Sequence, residues 1–230
     1  MGFLKRFFRH VFEDEKQNTS KSSFEKLTEE QWEAHLGVVS YGDFRLTDAV
    51  RPSYDLQVVP SQGYRFDVYS DEETGNNVPV LMAAATNTIL FDLFMELIDP
   101  LGFTIDVVLE TSHQRQGEGH EDLYREHIDM PVLKSVLWDY EQMLLHDGCT
   151  GMAVLNPEIP QEVQFDEHKL LLVYGDPLQP FQDVLESRGV KQVDDIKFIT
   201  EAEHIHSSSE KCFRQFDELK MRLGMDDGLY

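Results

Sequence analysis

Residues 112–129, SHQRQGEGHEDLYREHID, carry His113, His120 and His127 at an even spacing of seven inside an acidic stretch. Imidazole beside carboxylate is the raw material of a transition-metal site or of general acid–base chemistry. The segment HEDLYREH opens like the zinc-protease pattern H-E-x-x-H, in which two histidines one helical turn apart share a face and the glutamate acts as base. Here Tyr124 stands where the second histidine belongs. On a continuous helix a spacing of seven separates side chains by about 10 Å along the axis, too far to share an ion whose ligands stand at about 2 Å. Gly117 and Gly119 would have to fold the segment back on itself.

The second candidate is EAEHIHSSS at 201–209. In an extended strand His204 and His206 project from the same face about 6.5–7 Å apart, and Glu201 or Glu203 would add a carboxylate. Five of the nine histidines therefore fall in two short connections. His113, His120, His127, His204 and His206 are the candidate ligands for a divalent transition metal. A shared site requires the two connections to converge, so fewer than three ring nitrogens are expected within reach of one point. In HDGCTG, Cys149 follows His146 and Asp147, the components of a thiol nucleophile with a base. Gly148 reads better as a helix cap, with Cys149 a small residue entering a strand. A glycine-rich phosphate loop, a G-x-S-x-G elbow and a C-x-x-C pair are all absent from the sequence.

The elements that must position these residues are legible as patterns. TEEQ at 28–31 is a capping box opening a short helix through Trp32 and Leu36. Strands are expected at 54–59, 64–70 and 78–85, a helix at 88–99, and a strand at 103–110. One long helix follows, capped by Asp129, with Pro131 in its first turn and its end at His146 and Gly148. Strands at 151–156, 162–165 and 169–174 precede a helix opened by Asp176-Pro177 and closed by Gly189. A strand at 196–200 leads to a last helix, boxed by Ser207 and Glu210, that turns Cys212, Phe213, Phe216, Leu219 and Leu223 inward. The expected fold class is α+β, a mixed sheet with packed helices. The body, 24–230, divides into halves 24–148 and 149–230 that each read β-β-β-α-β-α, which suggests an internal duplication. In that frame the two histidine-rich stretches are equivalent connections. The helix TILFDLFMELI is apolar nearly all round, as burial between sheet and helix or at a homodimer interface requires.

Charge narrows the function classes. With 43 Asp and Glu against 20 Lys and Arg, the net charge of −23 weighs against nucleic-acid binding, which depends on cations neutralising phosphates, and fits a basic protein partner. Two cysteines, Cys149 and Cys212, make no disulfide framework, and no apolar run approaches the roughly 20 residues that span a bilayer. A cytoplasmic placement with both thiols reduced is expected.

Residues 1–12, MGFLKRFFRHVF, are the electrostatic opposite of the rest. As a helix they place Phe3, Leu4, Phe7, Phe8 and Phe12 on one stripe and Lys5, Arg6 and Arg9 on the other side, a pattern suited to a membrane interface or a partner's groove. Residues 13–23 contain no apolar residue and read as a linker. Salt-sensitive co-sedimentation with anionic vesicles is expected, lost on deletion of 1–12. Equal sedimentation of full-length and truncated protein would remove the membrane role. The favoured reading of the sequence is an acidic, non-enzymatic protein-binding or regulatory protein with an N-terminal docking helix and no cofactor, peripheral to the membrane through that helix. The alternative is a metal-dependent enzyme, a hydrolase, using the histidines of 112–129 and 201–209.

Overall fold

The computed structural model describes residues 22–70, 77–113 and 121–225. Residues 1–12 and most of the linker, including Phe3, Leu4, Lys5, Arg6, Phe7, Phe8, Arg9 and Phe12, lie outside the described residues, as does His120. In chain order the first elements are α1 (Glu29–Leu36), β1 (Ser40–Tyr41), β2 (Phe44–Arg45), β3 (Val50–Pro52), β4 (Gly63–Ser70), β5 (Asn77–Ala84) and α2 (Asn87–Leu97). Next come β6 (Thr104–Thr111), β7 (Glu121–Asp129), α3 (Met130–Trp138), α4 (Glu141–His146), β8 (Thr150–Leu155), β9 (Glu162–Phe165) and β10 (Leu171–Tyr174). The chain continues through α5 (Gln179–Ser187), β11 (His204–His206) and α6 (Glu210–Arg222). The fold is α+β.

Seven strands form one sheet in the order β4-β5-β10-β9-β8-β6-β7, every neighbouring pair antiparallel. The three strands of the second half, β10, β9 and β8, form the centre of the sheet, flanked by β5 and β4 on one side and by β6 and β7 on the other, so strands of both halves share one sheet. All helices except α1 contribute to a single apolar layer against one face. Leu90 and Phe94 of α2, Leu133 of α3, Leu144 of α4, Phe181 of α5 and Phe216 of α6 meet Leu81, Val107, Val154, Val163 and Val173 of the sheet. Phe94 and Leu93 are fully buried, which accounts for the nearly all-round apolar character of α2. On the other face, Val80, Leu172 and Tyr174 pack under Ile196 and Phe198. A separate two-stranded pairing joins β11 to β3.

Several expected elements differ from the observed ones. Residues 54–59 are a turn, because the Leu56 amide donates to Ser53 O at 3.0 Å and Leu56 adopts φ 52. Residues 196–200 are unpaired backbone ending in a 3-10 turn, Ile199–Glu201, in which the Glu201 carboxylate accepts from Phe198 N at 3.0 Å. The alternation of Ile196 and Phe198 reports their burial in the second apolar layer, not a strand. The long helix expected from 129 is two, broken where Tyr140 takes φ −116 and ψ 11. The last helix is capped by Ser209, whose hydroxyl accepts from Cys212 N, rather than by Ser207. Phe213 on that helix is 39% exposed. Both cysteines are free thiols, and Cys212 is half-buried against the core.

Half of the opening histidine stretch is itself structure. β7 is an edge strand on β6, with Tyr124 opposite Val108 and Leu123 opposite Leu109. Its charged, outward residues serve an exposed edge and hide the two-residue period that would have marked a strand.

Candidate metal centre

The start of β8 and the connection preceding it lie against the β3–β11 pair at one end of the sheet. Gly148 N donates to Ser207 O at 2.8 Å and Ser207 N to Ala49 O at 2.7 Å. His204 and His206 sit on β11, and His168 sits in the tight turn between β9 and β10. The ring centroids lie 4.8 Å apart for His168 and His204, 4.7 Å for His168 and His206, and 5.1 Å for His204 and His206. One ring nitrogen of each lies within 4.8 Å of the others. A common point is then within about 2.8 Å of all three, so movements of about an ångström bring them to the usual Zn–N distance of about 2.0–2.1 Å. Of the described histidines of the two connections, only His204 and His206 meet here. The third comes from His168, which belongs to neither histidine-rich connection.

The local sequence explains each position. His204 and His206 are alternate residues of an extended strand, so they share a face, and the strand is held by pairing of His204 with Pro52 and His206 with Val50. The turn FDEHKL is organised by Asp166. One carboxylate oxygen accepts from Leu170 N at 2.7 Å and the other from His168 Nδ1 at 2.9 Å. Lys169 closes the turn at φ 66 and sends its ammonium inward to donate to Thr150 O at 3.0 Å. Burial pulls that ammonium down to about 8, against the opposing pull of Asp147, Asp166 and Glu167.

All three rings have their Nδ1 committed in the same sense. His168 Nδ1 donates to Asp166, His204 Nδ1 to Ala202 O at 2.8 Å, and His206 Nδ1 to Gly148 O at 2.7 Å. A carbonyl or carboxylate oxygen can only accept, so each neutral ring carries its proton on Nδ1 and its lone pair on Nε2. Metal-binding histidines are oriented in this way, by a carbonyl or carboxylate on the nitrogen that does not bind. Although the residue as a whole is exposed, desolvation of its ring among the cluster, reinforced by His168 and His204, pulls His206 down to about 4, so it is neutral at pH 7.

Gly148 is required for this arrangement. A Cβ on it would stand 2.3 Å from Ala49 O and 2.9 Å from Ser207 O, both backbone atoms. Gly148→Ala is expected to push β11 away from the turn before β8, destabilising the fold by about 1–3 kcal/mol and weakening metal binding with it. Melting and zinc titration of the variant check this, and unchanged values for both would show that the strand is not held through Gly148.

The remaining candidates lie elsewhere. His113 forms a second group with Asp147 and Cys149. Its Nε2 meets the fully buried Asp147 carboxylate at 2.7 Å, and its ring packs edge-on against Phe213. Burial alone would raise Asp147, but hydrogen bonds from His113, Ser208 and Thr150 hold it below the usual carboxylate range. This group is a satisfied brace between β6 and the start of β8. Burial pushes the Cys149 thiol up, and His146 Nδ1 is occupied in accepting from Asp48 N at 3.0 Å, so the pairing expected of a nucleophile is not formed. His127 lies on β7 at φ 55, its amide donating to Asp106, and joins neither group. Glu201 is held by Arg65 and Lys197, and Glu203 accepts from Ser23 N at 2.8 Å, so neither turns to the histidines.

The chain matches no protein-family model, no curated protein and no solved structure. Its chemistry is therefore read from its own geometry. Sequence reasoning missed His168, Asp166 and Gly148. The available signal was a histidine two residues after an aspartate in a short polar link between two apolar strands.

Proposed function

We propose that the protein holds one divalent transition metal, zinc foremost, on His168, His204 and His206 and uses it for hydrolytic chemistry. The observation that carries this reading is the common orientation of the three rings, each with Nδ1–H given to a protein oxygen. Among the described residues the group contains three ligands and no fourth. Closed structural zinc sites take four protein ligands, whereas three leave a position for water. A metal-bound water whose pKa is brought near 7 is a nucleophile at neutral pH. His168 is buried and His206 is exposed, so the centre is anchored on one side and reached by solvent on the other.

Apo-protein prepared with a chelator and titrated with zinc against a chromophoric competitor tests the reading. One equivalent is expected to bind, and the double variant His204→Gln, His206→Gln is expected to bind none. Hydrolysis of p-nitrophenyl acetate is expected to follow occupancy. Binding without hydrolysis would remove the hydrolytic step, and failure to bind would remove both.

A second reading rests on charge. The net charge of −23 supports an acidic body that engages a basic protein partner, with residues 1–12 docking to that partner or to an anionic membrane. Among the described residues no helix is long and apolar enough to cross a membrane. The two readings are compatible, since the metal centre occupies only one end of the sheet.

A further inference from the structure

The opposite end of the sheet carries a different constellation. Where β8 and β10 end and β9 begins, a pocket of about 550 Å³ opens between the loop 156–161, the start of β5 and the turn after β10. A volume of this order accommodates a small organic molecule. Its walls are formed in part by Val78, Pro79, Pro157, Ile159, Pro160 and Tyr174. The loop is braced: Asn156 Oδ1 accepts from Glu158 N and Ile159 N, and Asn156 Nδ2 donates to Leu101 O at 2.8 Å. Gly175 backs onto it so closely that a Cβ would stand 2.3 Å from Pro160 O.

Glu162 lines this pocket and is only 2% exposed. One carboxylate oxygen accepts from Gln164 Nε2 at 2.5 Å, while the other, Oε2, has no hydrogen-bond partner among the described residues. A buried carboxylate oxygen without a donor costs stability, and a fold that keeps one beside a cavity is built to receive a donor there. The lining also includes Glu158 and Asp176 and contains neither lysine nor arginine among the described residues. Three carboxylates with no opposing cation select against anions. The apolar remainder favours a ligand with a hydrophobic body behind its charged head.

We propose that this pocket binds a small organic cation, an amidinium, guanidinium or primary ammonium group on an aromatic or aliphatic body, with Glu162 as its counter-ion. Oε2 is sealed from solvent as it stands, so a small turn of the Glu162 side chain presents it to the head group, while the body lies against Ile159, Pro160 and Tyr174. The site shares no residue with the histidine centre and does not depend on metal.

Calorimetric titration of the full chain with benzamidine and with phenethylamine, in the presence of a chelator, tests the proposal. Benzamide is the neutral control and benzoate the anionic one. Saturable binding of at least one cation is expected, with neither control binding. Glu162→Gln keeps the shape and the bond to Gln164 but removes the charge, and is expected to weaken binding roughly tenfold or more. Ile159→Trp, at an exposed loop position, is expected to block the pocket while leaving the fold intact, and serves if the glutamine variant does not fold. The proposal is overturned if neither cation binds saturably at millimolar concentration, or if a folded Glu162→Gln protein binds as wild type does. Equal binding of benzamide and benzamidine would also overturn it.

Discussion

Zinc at about a hundredfold excess over its dissociation constant is expected to stabilise the folded chain by about 2.7 kcal/mol, since an ion that binds only the native state adds RT ln(1 + [L]/Kd). For a chain of this size that corresponds to a rise of roughly 5–10 °C in melting temperature. The three proposed ligands come from segments far apart in sequence, a hairpin turn at 166–169 and the short strand β11, and both must be in place to bind. His168→Ala removes the buried ligand and is expected to abolish the rise entirely. Asp166→Asn leaves the ring but exchanges its carboxylate partner for an amide, and such changes typically cost tenfold to a hundredfold in metal affinity. The magnesium control, a hard ion that prefers oxygen, is expected to leave the melting temperature unmoved. Scanning calorimetry with and without each ion checks all of these. A shift of equal size in His168→Ala would place the ion somewhere else.

The second large effect is one of pH. Glu110 on β6 is 5% exposed and faces the backbone of Gly151, with its Oε2 3.2 Å from where a Cβ would stand there. Burial, reinforced by Asp122, Glu167 and Asp166, pushes its carboxyl up to about 9, so at neutral pH it is held as the acid. Because the folded value lies above the ordinary one of 4.5, the native state binds this proton more tightly than the unfolded chain does. Its contribution to stability is therefore fully present below pH 4.5 and is lost progressively as pH rises through about 9, at up to about 1.4 kcal/mol per pH unit. Glu110→Gln, which cannot ionise, is expected to melt near wild type at pH 5 and clearly above it at pH 9. Glu162, pushed up to about 7 by burial, adds to the loss over the lower part of the same range. Melting curves of both proteins from pH 5 to 9 decide the matter. A constant difference between them would show that Glu110 is already ionised at the lower end.

The α+β class and most strands were legible because the central strands are buried, β8 on both faces and so nearly continuously apolar, and because α3 and α4 keep a helical period. What failed was local backbone chemistry. Residues 54–59 have strand-like composition, yet the Ser53 hydroxyl and carbonyl capture the amides of Gln57 and Leu56 and turn the chain. The edge strand β7 was hidden by its own solvent-facing charges. Of the proposed metal centre, the closeness of His204 and His206 was readable from their spacing of two, because a strand puts alternate residues on one face. His168 was not, because its partnership with them comes from a pairing of β11 with β3 that no short-range pattern encodes. The histidines of 112–129 drew attention through even spacing, but spacing along the chain means nothing without the element that carries it. His113 braces Asp147, while His127 sits on the outer edge.

X-ray absorption at the zinc edge, on protein loaded with one equivalent, tests the three-histidine centre most directly. The expected spectrum shows a four-coordinate ion with three imidazole nitrogens at about 2.0–2.1 Å, one further light-atom ligand and no sulfur. In the His168→Ala protein the three-imidazole signature is expected to vanish. A sulfur ligand at about 2.3 Å would instead assign the ion to Cys149 beside His113 and Asp147, and contradict the account.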